Sequence, residues 1–310
     1  MAKYVLNKVI IALITVFVLA TVTFFMMKLI PGDPFASVTT KAEVQEAQRA
    51  YYGLDKPVFE QYLTYMGNLL KGDLGYSMKK TGRTVVDIIK EAFPTSAVLG
   101  LTSLFFAEVI GWTFGMLCAQ YRNRWPDYVL MVFAVLGIAM PSMVIGPLMR
   151  YTFGVALKWL PVTGWGSIEQ MIMPSLVLGL GTIAGGTRSM RASMLGVMTQ
   201  DYVITARAKG ISPIRVVMKH EFKNSLVPLV SNLGVGIAGV MMGSFVVESM
   251  FLIPGLGRYF VDSVTNLDYP LIMGLTVFYG TVLVTLNLLV DVLYGFLDPR
   301  IREATKGAAK

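Results

Sequence analysis

Gly234-Val-Gly-Ile-Ala-Gly239 matches the G-x-G-x-x-G spacing by which backbone amides approach a dinucleotide pyrophosphate. That chemistry needs a strand before the glycines and a soluble helix after them. Here the run lies inside a long apolar stretch. Close helix packing, helped by Gly239-Val-Met-Met-Gly243, is the better account. No G-x-x-x-x-G-K-[ST] loop occurs, so the sequence offers no such cradle for ATP. The single histidine, His220, has no ligand cluster near it, which speaks against a metal site or a His-based triad. The single cysteine, Cys118, falls in an apolar run and reads as a small buried residue; an intramolecular disulfide is impossible.

The other chemical candidates are ionisable residues inside apolar runs, which are functional by default. They are Glu108, Glu248, Asp291 and Arg150. Asp291 and Asp298 lie near the end of the last run, where pairing with basic loops is the plainer account. Glu108 is deeper, and both a place on a translocation path and a pair within the bundle stand open. Glu248 precedes Pro254-Gly-Leu-Gly257 by one to two turns, near an outer mouth. Glu108, Pro141, Glu248 and Pro254 are therefore the candidate gate or pathway residues. No chain of such charges crosses several runs, which argues against a proton-coupled pump. No regular arginine repeat of the voltage-sensor type occurs.

The most basic stretch is Asp201 to Pro228. Thr199 or Asp201 can cap a short helix there, and Gly210 can stop it in a left-handed conformation. Ser212-Pro213 then reads as an N-cap with proline at the first helical position, opening a helix to about Ser225. Three readings compete. A basic loop is attracted to anionic lipid, at about 1 kcal/mol per basic residue near the surface. A helix-turn-helix on nucleic acid is disfavoured, because the leash to the flanking runs is too short to seat a helix in a groove. A docking lever for a soluble partner is the third: Ala206, Ala208 and Gly210 let a surface approach the backbone, and Arg207, Lys209 and Arg215 supply ion pairs at its rim.

These elements must be positioned by a membrane. Of 310 residues 55% are apolar and 15% charged, too apolar for a soluble protein of this size. A bilayer core of about 30 Å needs about 20 helical residues. The run from Val9 to about Met27 is longer than a signal-peptide core and lacks a convincing cleavage site, so it reads as an uncleaved first span. Five more follow: Ser96–Tyr121, Tyr128 to about Tyr151 with kinks at Pro141 and Pro147, about Ile172–Thr187, Leu229–Ile253 and Leu271–Leu297. Gly111-Trp-Thr-Phe-Gly115 has the small-x-x-x-small spacing of close helix contact. Residues 152–171 form an aromatic loop with Trp159 and Trp165, suited to a membrane interface. Residues 31–95 carry eight basic and eight acidic residues and read as a folded external insertion. In it Thr40-Lys-Ala-Glu43 is a possible capping box. Pro57 opens an amphipathic helix with Val58, Tyr62, Leu63, Met66, Leu69 and Leu70 on one side.

Charge sets the orientation. The amino end, 122–127, 188–228 and the tail hold fifteen Lys/Arg against five Asp/Glu. Residues 152–171 and 254–270 hold two against three. The first group is therefore cytoplasmic, with both termini. The expected divisions are 1–30 (amino end and first span), 31–95 (insertion), 96–297 (five-span core with the loop 188–228) and 298–310 (tail). The fold class is an all-α integral membrane protein with six transmembrane helices, a cytoplasmic coupling helix between the fourth and fifth, and the external insertion after the first.

At Thr205-Ala-Arg-Ala-Lys-Gly210, followed by Ile211 and later by Asn224-Ser-Leu-Val-Pro228, the sequence resembles the cytoplasmic loop of binding-protein-dependent ABC importer permeases. More narrowly it resembles the oligopeptide/dipeptide/nickel permease family, over the whole chain. Leu29-Ile-Pro-Gly-Asp-Pro34, Tyr52-Gly-Leu-Asp-Lys-Pro57, Gly72-Asp-Leu-Gly-Tyr-Ser77, Glu248-Ser-Met-Phe-Leu-Ile-Pro-Gly-Leu-Gly257 and Asp298-Pro-Arg300 carry the likeness. The long insertion resembles that of the B-type subunit. Pro141-Ser142 and Trp159-Leu-Pro161 resemble the oligopeptide branch. The wider loop motif begins Glu-Ala-Ala, and Thr205 stands where the Glu would be, which puts in doubt a carboxylate contact to the ATPase there.

The resemblance implies a permease subunit in the bacterial inner membrane that moves oligopeptides by alternating access. It implies a second, homologous permease as partner in a heterodimer, two cytoplasmic ATPase subunits that hold ATP and Mg, and an extracytoplasmic peptide-binding protein. The chain itself would carry no cofactor and no catalytic residue. Dipeptide or nickel import is the alternative within the family. From other classes, a receptor or scaffold without transport and a secondary transporter without ATPases remain. The twenty methionines read as flexible apolar packing.

Overall fold

The computed structural model describes residues 2–30, 46, 49–80, 82–240 and 244–297. The Thr40–Glu43 box, most of Leu29–Pro34, the 241–243 part of the second glycine pair, the Asp291 side chain, and Asp298 with the tail lie outside the described residues. Among those described, the chain is helical and has no strand, only an isolated bridge between Tyr76 and Thr84. The G-x-G-x-x-G run is helical and follows no strand.

The chain forms two compact units, 1–96 with 254–310, and 97–253. The first unit holds α1 (Ala2–Leu29), α2 (Val58–Leu70), the start of α3 (Val85–Gln120), α11 (Leu256–Thr265) and α12 (Tyr269–Leu297). Helix α1 packs along α12, where Gly280 leaves room for Leu19. The insertion packs on this pair. Phe24 of α1 stacks on Tyr65, the Tyr62 hydroxyl meets that of Thr21, and Lys28 donates to Gln61. The packed face of α2 is therefore Gln61, Tyr62 and Tyr65. The expected apolar face holds only in part: Tyr62 packs on α1 and Met66 and Leu69 are half-buried, while Val58, Leu63 and Leu70 are exposed. Rings of Phe24 and Phe25 on Tyr62 and Tyr65, together with the Lys28–Gln61 bond, hold the face that packs.

Asp268 ties the insertion to α12. Its carboxylate accepts from the Ser77 hydroxyl, from the N–H groups of Met78 (3.0 Å) and Lys79 (3.4 Å), and from Leu271 N–H (3.4 Å) in the first turn of α12. Gly75, at φ +84°, is held against Tyr52. A Cβ there would stand 2.5 Å from the Tyr52 hydroxyl, which bonds both N–H and C=O of Tyr76. Burial pushes the Tyr52 phenol well above its ordinary pKa, so it stays protonated and can donate.

The second unit holds the rest of α3, α4 (Trp125–Ala139), α5 (Ser142–Met149) with a π-helical turn Arg150–Ala156, α6 (Ile168–Val197), α7 (Asp201–Ala208), α8 (Pro213–Val216) with a π-helical turn Val217–Phe222, α9 (Lys223–Val240) and α10 (Phe245–Phe251). Gly111 and Gly115 do bring helices together: a Cβ at Gly115 would stand 2.5 Å from the Thr187 carbonyl of α6. The Ser103 hydroxyl donates to Ser175 O at 2.8 Å along the same seam. Cys118 is buried, as expected.

Several boundaries differ from the expected ones. Helix α3 starts at Val85 and carries Pro94 inside it. A reciprocal box starts it: Asp87 N–H bonds Thr84 Oγ1 at 3.0 Å, and Thr84 N–H bonds the Asp87 carboxylate at 3.3 Å. Helix α6 likewise starts at Ile168, through a capping box of Ser167 and Gln170. The third run bends by 112° between Ala139 and Ser142, at Pro141, and stays helical to Ala156, so the aromatic loop is shorter than 152–171. Trp159 is exposed, as an interface residue should be, while Trp165 packs into the core. The helix from Pro213 does not stop near Ser225. It runs on through the π turn and Pro228 to Val240.

Among the described residues four helices are long and apolar enough to cross a membrane: α1, α3, α6 and α12. The bent α4–α5 pair makes five if it is one span. The fifth expected run is occupied by α9 and α10, neither of which has that length and apolarity alone. Large apolar side chains point outward along these helices, with Leu13 66% and Phe133 63% exposed. In water they would be a liability; in lipid they are the solvated surface. The chain is a multi-pass, all-α membrane protein.

Candidate functional site

The lever begins where α6 ends. Its N-cap is Gln200, and neither Thr199 nor Asp201 takes that place. The Thr199 hydroxyl turns back to Gly196 O at 3.0 Å, and Asp201 sits in the first turn of α7, where a carboxylate suits the helix dipole. At the other end Gly210 has φ +73°, as the sequence requires. Gly210 N–H bonds Arg207 O at 3.0 Å and Ile211 N–H bonds Ala206 O at 3.4 Å, the paired bonds of a Schellman stop. Ile211 completes it by packing on the small core of Val203, Ala206 and Val216. Ser212 does occupy the next N-cap, with Pro213 at N1, but its side chain makes no capping bond.

This geometry sorts the expected coupling residues. Thr205, Ala208, Lys209, Gly210 and Arg215 are exposed, and Ile211 is half-buried. Ala206 is buried against Val203 and Val216, so it does not lend its backbone to a partner. Arg207 makes an ion pair inside the chain: its Nη2 donates to Glu221 Oε1 at 2.6 Å. Beside the Gly210 turn stand exposed apolar groups, with Ile204 on α7 and Ile214, 79% exposed, on α8. Ile204, Ile214, Lys209 and Arg215 thus make the exposed surface around the turn both apolar and basic.

Residues that sequence reasoning passed over hold the lever to the bundle. Gln120 Nε2 donates to the second oxygen of Glu221 at 2.6 Å. Nothing in the sequence pairs residues 101 positions apart. Met190, Met194, Ala119 and Leu229 form the adjoining core, with Val217 and Phe222 of the π turn packed against it. The Ser193 hydroxyl donates to Ser225 O at 2.9 Å. Next to it Arg191 forks onto Asp127, at 2.8 and 2.7 Å, and Asn123 N–H reaches the same carboxylate at 3.0 Å. The turn after α3 is thereby fixed to α6. Asp127 is buried, so both its oxygens need those donors.

The candidate gate residues do not form one cluster. Glu108 is half-buried against α6: a Cβ at Gly186 would stand 3.2 Å from its carboxylate. Pro141 is exposed at the bend of the third run. Glu248 is fully buried in α10. That helix ends in a left-handed Leu252 (φ +56°), just before Pro254. Pro254 is exposed and belongs to the other unit. Arg150 Nη1 donates to Met250 O at 2.8 Å, across from the π turn. No group of three or more His, Cys, Asp or Glu side chains able to hold a metal occurs among the described residues.

Residues 111–303 match the family described as binding-protein-dependent transport system inner membrane component. Residues 1–100 match the N-terminal part of the membrane component of such systems. The dipeptide transport system permease protein DppB of Bacillus subtilis is 42% identical over 308 residues, which cover 99% of this chain and 100% of that protein. The oligopeptide transport system permease protein OppB of Haemophilus influenzae is 42% identical over 306 residues (97% and 100%). OppB of Escherichia coli K12 is 38% identical over 305 residues (97% and 100%).

Proposed function

Because the chain belongs to the family of inner membrane components of binding-protein-dependent transport systems, we propose that it is the permease subunit through which an ABC importer moves oligopeptides inward. It is not an enzyme; it forms part of the path. The observation that carries this is full-length identity of about 40% to peptide permeases. Dipeptide cargo is the second reading, favoured by the equal identity to DppB.

In this proposal α1, α3, α4–α5, α6, α9–α10 and α12 make six crossings, with both termini and residues 188–228 in the cytoplasm. Residues 31–95 face outward. A second, similar permease completes the path as a heterodimer. Two cytoplasmic ATPases hold ATP and Mg, and a binding protein delivers the peptide. The exposed turn at Thr205, Ala208, Lys209, Gly210 and Arg215 receives an ATPase. Nucleotide then shifts the bundle only by its differential affinity for the two states. Because α8, the π turn and α9 form one unbroken helix, displacement at Pro213 is carried to Val240. Glu108, Pro141, Glu248 and Pro254 are proposed as gate or pathway residues.

The test is co-purification of the chain with its partners, followed by ATP hydrolysis in lipid with and without peptide. Stimulation by oligopeptide supports the proposal. Stimulation by nickel alone, or assembly with a partner but no transport, would overturn the cargo or the permease reading respectively.

A further inference from the structure

Glu221 is the point where the lever meets the second crossing. It lies in the π-helical turn, and its side chain is 0% exposed. Each carboxylate oxygen has its own donor. Arg207 Nη2, from α7, serves one at 2.6 Å; Gln120 Nε2, from the last residue of α3, serves the other at 2.6 Å. The neighbouring Ala119, Val217 and Phe222 belong to the adjoining apolar core, so the carboxylate is desolvated and its charge-assisted bonds are strong. Arg207 itself is 52% exposed. The apolar contacts of α7 are few, to Val197, Ile211 and Val216, and none of these lies on α3. A polar chain, Arg207–Glu221–Gln120, thus joins the docking helix to the end of a membrane crossing.

We propose that Glu221 is a positioning residue that makes α7 and α3 move as one body when the partner ATPases act on the lever. The inference rests on the permease reading above. Removing the carboxylate leaves the exposed turn intact for docking but lets α7 slip against α3. Hydrolysis then continues while peptide stays outside.

The test uses the full complex in lipid vesicles, with uptake of a labelled oligopeptide and ATP hydrolysis measured on the same sample. The variants are Glu221→Gln, Glu221→Ala, Gln120→Ala and the Glu221→Ala/Gln120→Ala double. The expected result is a fall of roughly tenfold in peptide moved per ATP, with hydrolysis near the wild-type rate. The double variant should be no worse than Glu221→Ala alone, since both break one chain. Should Glu221→Ala fail to assemble, Glu221→Gln and Gln120→Ala carry the test. An unchanged ratio, or uptake and hydrolysis falling in step, overturns the proposal. Uptake by the wild-type complex without ATP would instead overturn the permease reading on which it rests.

Discussion

Replacing Gly210 separates what this chain needs from what a partner needs. The residue sits at φ +73°, where a Cβ costs about 1–2 kcal/mol. Yet a Cβ placed there meets no atom of the chain within 4 Å. Strain is therefore the internal cost of Ala, and Trp carries the same backbone strain. A loss of that size shifts the turn by a factor of about 5–30 and does not unfold the bundle. Asn tolerates this conformation and should behave almost as Gly does. If an ATPase presses on the turn, Trp adds a second penalty that grows with side-chain volume. The expected order of peptide uptake, at matched membrane levels, is Gly and Asn, then Ala, then Trp with none. Equal uptake by Gly210→Ala and Gly210→Trp would show that nothing outside the chain touches the turn, and the docking argument would fail.

Arg191→Met leaves the buried Asp127 carboxylate without its fork and should destabilise by about 3–5 kcal/mol; an unchanged thermal midpoint in detergent contradicts this. Gly115→Ala drives a Cβ to 2.5 Å from Thr187 O and should cost about 1–3 kcal/mol, whereas Gly181→Ala, with nothing within 4 Å, should be tolerated. Equal midpoints for the two alanine variants would refute the close-contact account. Asp268→Ala removes the acceptor for Ser77, Met78 and Lys79, so trypsin should cut at Lys79 and Lys80 faster than in the wild type. Unaltered cleavage kinetics would mean that the carboxylate is not what holds this loop.

Much of this was legible because some residues allow few alternatives. Gly210 before Ser212-Pro213 stops one helix and opens another, and Pro141 interrupts its run, whereas Pro94, Pro147, Pro174 and Pro228 sit inside helices. The glycine spacing at 111 and 115 foretold a close crossing, though not which helix would lie across it. Two helix starts were readable and overlooked: Thr84-x-x-Asp87 and Ser167-x-x-Gln170 are capping patterns, and each lengthens its helix beyond the apolar run. Apolar length marks where lipid begins, not where a helix does. Ala206 was assigned to the partner face because small residues permit approach from either side; packing against Val216 decided the side. The Gln120–Glu221–Arg207 chain was not legible at all, since it depends on three segments meeting in space.

Where Gly111 and Gly115 cross α6, main chain meets main chain: a Cβ would stand 2.8 Å from Ile183 O at the first and 2.5 Å from Thr187 O at the second. Helices packed this closely shift by about 1–2 Å, whereas a change of register would take a whole turn, about 5.4 Å. These two helices therefore keep their register while the rest of the bundle moves. Bending of the bundle then falls to places where a helix is already interrupted, and the 112° break between Ala139 and Ser142 is such a place.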